Sequence, residues 1–240
     1  MTHSVPEPAS AGASLTVSLA IQRGAFHLDV AFEAPPGITI LFGPSGSGKS
    51  TVLAAIAGLL RPDRGRVALG TDVWLDSTQR IDRPVHLRRV AFVFQSLALF
   101  PHMSAVGNVV YGMDRTLARE VQRTKARELL ARFHVAHLEN RRPSTYSGGE
   151  AQRVALARAF AMAPRVVLLD EPFSAMDRDL RESLCADVRA SASELGVPFI
   201  HVTHHRQEVR LLADRVIYID NGRRVAGSDE PYVDMWGSGS

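Results

Sequence analysis

The chain has 240 residues, 45% apolar and 22% charged, with 28 Lys and Arg against 25 Asp and Glu. That size fits one domain with an insertion, or two small ones, around a full hydrophobic core. Ordinary glycine and aromatic content excludes collagen, coiled coil and wholesale disorder, and a net charge of +3 does not mark a nucleic-acid surface.

Residues 1–13 are small, proline-containing and aperiodic, and predict a flexible tail. Segments 15–21 and 28–32 alternate apolar and polar residues, which predicts half-buried strands. Segment 38–42 is a continuous apolar run ending in a glycine-rich turn, with a predicted helix over 50–60 that the Arg-Pro-Asp-Arg-Gly run at 61–65 stops. The longest apolar run, 52–60, is well short of the roughly 20 residues a membrane span needs. Segment 90–94 reads as another buried strand. The pattern then turns helical and arginine-rich, a predicted insertion over about 96–162 whose last helix covers 149–162. Segment 166–169 is a fully apolar strand. A helix at 178–195, a strand at 198–203, a helix at 205–213, a strand at 216–219 and an Asn221-Gly222 turn follow. Buried strands alternating with helices predict a parallel α/β sheet covered on both faces. The single cysteine, Cys185, excludes an internal disulfide and fits a reducing compartment. No signal peptide is evident.

Two motifs carry chemistry. Gly43-Pro44-Ser45-Gly46-Ser47-Gly48-Lys49-Ser50, followed by Thr51, satisfies G-x-x-x-x-G-K-[ST] between a strand and a helix. Glycines let backbone N–H groups wrap a phosphate chain, and the helix N-terminus adds positive dipole. Lys49 is expected to reach the β- and γ-phosphates and Ser50 to ligate Mg²⁺. Segment 166–169 then presents Asp170 and Glu171 at a strand's carboxyl end, where open α/β sheets bind ligands. Asp170 suits the Mg²⁺ shell, and Glu171 suits a general base for a hydrolytic water. No guanine-reading [NT]-K-x-D occurs, so ATP is favoured.

Tyr146-Ser147-Gly148-Gly149-Glu150-Ala151-Gln152-Arg153, continuing to Ala159, resembles the signature motif of ATP-binding cassette (ABC) ATPases, with Tyr146 where Leu is usual and Glu150 where Gln is usual. The resemblance covers roughly residues 15–227. It implies a phosphate-loop ABC ATPase core with a parallel sheet, an N-terminal antiparallel β subdomain and an inserted α-helical subdomain. The nucleotide-binding domain is expected over 14–228, with a tail over 229–240 and no oxyanion-binding regulatory domain. The Gly-Ser-Gly-Ser end reads as a linker scar or as native sequence.

Within the family pattern, Gln95 resembles the glutamine that contacts Mg²⁺ and the attacking water. Ser174 to Asp177 resembles the D-loop, with Met176 where Leu is usual. His204 resembles the switch histidine that grips the γ-phosphate. Its neighbours His201 and His205 have no Cys or carboxylate spaced to share a zinc ion with them. Phe26 lies 17 residues before Gly43 and is either an aromatic platform for adenine or a core or edge-strand phenylalanine. In this family Ser147, Gly148, Gly149 and Glu150 serve the ATP of a second subunit, so a self-dimer is expected.

The stretch from Phe100 to Met113 resembles importer cassettes, most closely those for molybdate and tungstate, with sulfate and ferric-iron cassettes as alternatives. That implies a membrane permease, a substrate-binding protein acting indirectly, no nucleic-acid partner, and a peripheral location at the cytoplasmic face of the inner membrane. DNA-repair and chromosome-maintenance ABC ATPases need coiled-coil arms between Lys49 and Ser147, and no sustained heptads lie there. Ribosome-associated ABC proteins carry two cassettes in one chain, and this chain has one. Segment 115–142 carries eight basic and three acidic residues, which suits either a solvated helix or a face for acidic lipid or a partner.

Overall fold

The structure, a computed structural model, describes residues 12–174 and 176–225. The expected tails therefore fall largely outside the described residues. An antiparallel sheet opens the chain: β1 (Leu15–Arg23) pairs with β2 (Phe26–Ala34) and, on its other side, with β4 (Arg64–Leu69), which continues to β5 (Asp72–Asp76) and β6 (Ile81–Asp82). The parallel sheet runs β10 (Arg215–Asp220), β3 (Gly37–Phe42), β9 (Pro198–Thr203), β8 (Val166–Asp170), β7 (Val90–Val93). Short β11 (Arg223–Arg224) folds back on β10 past the Asn221-Gly222 turn and pairs with β2, joining the two sheets.

Strand burial follows the sequence pattern. β1 alternates along most of its length between buried and exposed residues, as a sheet with one wet face requires. β9 is buried at every position, as a central parallel strand must be. β8 splits its side chains between two cores: Val166 and Leu168 join one, Val167 and Leu169 the other. In the first core α1 (Lys49–Ala57) lays Val52, Leu53 and Ile56 between the two sheets. The second core gathers the helical region: α3 (Ala105–Tyr111), α4 (Arg119–Arg132), α5 (Gly148–Phe160) and the inner face of α6 (Arg178–Leu195), with Phe133, Phe160 and Phe199 packed together.

Three features depart from the sequence expectation. Helix α1 stops at Ala57 rather than residue 60. Gly58 takes φ 83°, and a Cβ there would lie 2.7 Å from Cζ of Arg88, the last residue of α2 (Val85–Arg88). The fully buried Arg88 guanidinium donates to the carbonyls of Ala55 and Ile56 at 3.1 and 2.8 Å, closing the helix end that glycine opens. Strands β4 to β6 were not anticipated. Their polar residues are held by partners remote in sequence: Asp72 accepts from Arg83 and Arg165, each at 2.6 Å. The remaining helix, α7 (Arg206–Leu212), is one residue shorter at each end than expected.

Candidate functional site

The glycine-rich loop turns from β3 into α1 at the carboxyl edge of the parallel sheet. Gly48 has φ 100°, and a Cβ there would come within 2.9 Å of the Phe26 ring. Only glycine meets both demands. Lys49, the first residue of α1, is 5% exposed and donates from Nζ to the carbonyls of Gly43 at 2.9 Å and Pro44 at 2.7 Å, and to Ser47 Oγ at 3.3 Å. Burial pushes its pKa down, opposed by the charges of Glu171 and Asp170.

The second strand end faces the same loop. Ser50 Oγ donates to Asp170 Oδ1 at 2.8 Å. Burial pushes the Asp170 carboxyl up; the Ser50 hydrogen bond works against that and Glu171 adds to it. Glu171 turns out of β8 at φ 46°, its N–H donating to Val202 O at 3.1 Å. Its Oε1 lies 3.1 Å from His204 Nδ1, so the end of β9 meets the end of β8. Gln95 follows β7, the strand paired with β8 on its other side. Phe26, Ser45, Gly46, Lys49, Ser50, Thr51, Gln95 and Glu171 line one cavity of about 440 Å³. An oxygen pair 2.8 Å apart, one of them a carboxylate, is a donor set that suits a hard divalent cation.

Phe26 starts β2, packs on Gly48 and lines the cavity, so it is both a partly buried residue against the first core and part of the site wall. Ser147, Gly148, Gly149 and Glu150 are not brought to this cavity. They form the N-terminus of α5. Ser147 Oγ accepts from the Glu150 N–H at 3.3 Å, and Glu150 Oε2 accepts from the Ser147 N–H at 2.7 Å, a reciprocal cap. The Ser147 N–H and His137 hold the Glu150 carboxyl down to about 2. Asp177 caps α6 by accepting from the Leu180 N–H at 2.9 Å; Ala175 beside it lies outside the described residues.

The two unusual residues fit. Tyr146 donates its hydroxyl to Arg141 O at 2.7 Å and packs against the helical core. Met176 is buried in the same core. The sequence reading did miss a carboxylate near the histidines: Glu208 of α7 lies 2.8 Å from His201 Nε2, both fully buried. His201 is thus a paired core residue of β9. The reading also missed Arg158, which reaches from α5 to the segment after Gln95. The available signal was an arginine among the apolar residues 154–160.

A sequence model of the ABC transporter family matches residues 28–174. The molybdenum import ATP-binding protein ModC of Albidiferax ferrireducens is 44% identical over 223 residues, 92% of this chain and 60% of that protein. The molybdate/tungstate import ATP-binding protein WtpC of Archaeoglobus fulgidus is 43% identical over 203 residues, 84% of this chain and 81% of that one. The chain thus spans about three fifths of the length of the ModC relatives it matches. The dimeric post-hydrolysis state of the ATP-binding cassette MJ0796, bound to ADP and Pi, superposes with a TM-score of 0.75 at 27% identity over 90% of this chain and 98% of that one. The mixed sheet, the phosphate loop and these matches lead to one statement: the chain belongs to the ABC transporter family.

Proposed function

We propose that the chain binds and hydrolyses ATP as the energy-supplying subunit of an importer for molybdate or tungstate. One observation carries the catalytic half of this reading. Lys49, the Ser50–Asp170 pair, Gln95 and the Glu171–His204 pair converge at one edge of the parallel sheet. In this reading the loop N–H groups and Lys49 cradle the phosphates, Phe26 stacks on the base, and Lys49 exchanges loop carbonyls for phosphate oxygens. Ser50 and Asp170 would hold Mg²⁺, with Gln95 beside them, and the ion would supply neutralisation of charge on the β- and γ-phosphates. Glu171 takes the proton of the attacking water, and His204 fixes that carboxylate while reaching the γ-phosphate.

The N-terminus of α5, capped by Ser147 and exposed away from the cavity, is the second anion-binding element. It acts on the nucleotide of a second copy, in keeping with the dimeric relative. Asp177 lies at the same interface. A permease and, through it, a substrate-binding protein complete the assembly. No helix among the described residues is long and apolar enough to cross a membrane. The peripheral place at the cytoplasmic face of the inner membrane is read from the import ATP-binding relatives.

The substrate half rests on the named relatives. It is tested by reconstituting the chain with its permease and measuring ATP turnover with loaded binding protein. Stimulation by molybdate- or tungstate-loaded protein is expected. Stimulation by sulfate- or iron-loaded protein instead overturns the substrate and leaves the ATPase standing.

A further inference from the structure

Arg158 sits eleven residues beyond Ser147 at the other end of α5, about 16 Å along the helix at 1.5 Å per residue. Its guanidinium forks onto two consecutive carbonyls. Nη1 donates to Ala98 O at 2.6 Å and Nη2 to Leu97 O at 2.8 Å. Its Cζ also stands 5.6 Å from the centre of the Phe100 ring. Leu97 and Ala98 both hold left-handed backbone, φ 60° and 45°, which residues with a Cβ avoid. Such a turn persists only where its surroundings hold it. Within the turn itself the support is slight: the Leu97 N–H donates to Phe94 O at 2.9 Å and the Ala98 N–H to Ser96 O at 2.7 Å. Just downstream, buried Asn108 ties the Phe100 backbone at both its N–H and its carbonyl.

We propose that Arg158 is a positioning residue for Gln95. It does not touch nucleotide. It holds the strained turn that begins two residues after Gln95, and it does so from the helix whose other end is Ser147. The glutamine of one site and the capped helix end that serves the opposite site therefore move as one body. A charged, planar, two-pronged donor is what two adjacent carbonyls need; an ammonium supplies the charge without the fork. The inference rests on the proposed ATPase activity, and its test separates the two.

The experiment uses the full chain with Arg158→Gln and Arg158→Lys, each alone and in a Gln95→Ala background. ATP affinity, turnover, thermal midpoint and amide hydrogen exchange are measured. Arg158→Gln is expected to leave ATP affinity within about twofold and to lower turnover about tenfold or more, as misplacement of a catalytic group does. In the Gln95→Ala background the same substitution should change turnover less than about twofold, because the group it positions is gone. Amides 96–100 should exchange faster in Arg158→Gln, with α5 unchanged. Arg158→Lys should fall between wild type and Arg158→Gln, and it carries the comparison if the glutamine variant does not fold. Equal losses with and without Gln95, or unaltered exchange at 96–100, overturn the proposal. Absence of ATP turnover in wild type would instead contradict the proposed function, and the exchange result would still decide whether Arg158 holds the turn.

Discussion

Glu171 is a carboxylate at a strand end whose backbone leaves the extended region for φ 46°. A left-handed residue with a Cβ costs about 1–2 kcal/mol. Here the turn is held by its N–H bond to Val202, and it swings the side chain to His204. The same turn separates the tasks of two adjacent carboxylates. Asp170 stays on the strand axis against Ser50, while Glu171 faces the histidine. Under the proposed mechanism Glu171→Gln keeps the shape and removes the base. ATP affinity is expected to hold while turnover falls 10²–10⁴-fold, the usual range for general-base loss. A rate within about threefold of wild type would move the base role elsewhere, with His204 the next group in reach. Much of this chemistry is legible in sequence, because the loop at 43–51 and the pair 170–171 are contiguous. His201 with Glu208 was not legible: the pair spans a strand and a helix, and only the fold brings the two side chains to 2.8 Å.

At the scale of elements, legibility follows burial. β3, β8 and β9 are buried on both faces along nearly their whole length, and their apolar residues stand out in sequence even with Thr39, His201 and Thr203 among them. β4 and β5 carry Arg64, Arg66, Asp72 and Asp76, whose polarity looks like loop until Arg83 and Arg165 converge on Asp72 and Arg66 approaches Asp76. Helix ends were visible as residue types but not as geometry. Glu150, where the family usually has Gln, closes a reciprocal cap with Ser147. Its folded pKa of about 2 lies below the ordinary 4.5, so its stabilisation is complete above pH 4.5 and is lost as pH falls toward 2. Glu150→Ala is expected to lower unfolding free energy by about 1 kcal/mol near neutral pH. Denaturant titrations of both proteins should converge as pH approaches 2. A difference independent of pH would mean that the carboxylate is not the capping group.

Across the whole molecule, the two elements proposed to bind anions lie apart and do not share a cavity. The phosphate loop sits at the sheet's carboxyl edge, and the Ser147 cap heads a helix of the inserted region. The basic excess over 115–142 is partly engaged within the chain, with Arg127 bound to Glu139 at 2.9 Å and Arg132 to Glu194 at 2.6 Å. That pairing favours a solvated helix face over a lipid-binding one. Under the proposed function, the exposed end of α5 headed by Ser147 is the surface that faces a second copy. The most direct test of the shared site is ATP turnover by Ser147→Arg, measured beside ATP affinity. The arginine fills the helix N-terminus that would face the other copy's phosphate, without touching the chain's own loop. The account predicts affinity within about twofold of wild type and turnover reduced about a hundredfold or more, the scale of losing a transition-state anion site. Wild-type turnover in that variant would contradict it.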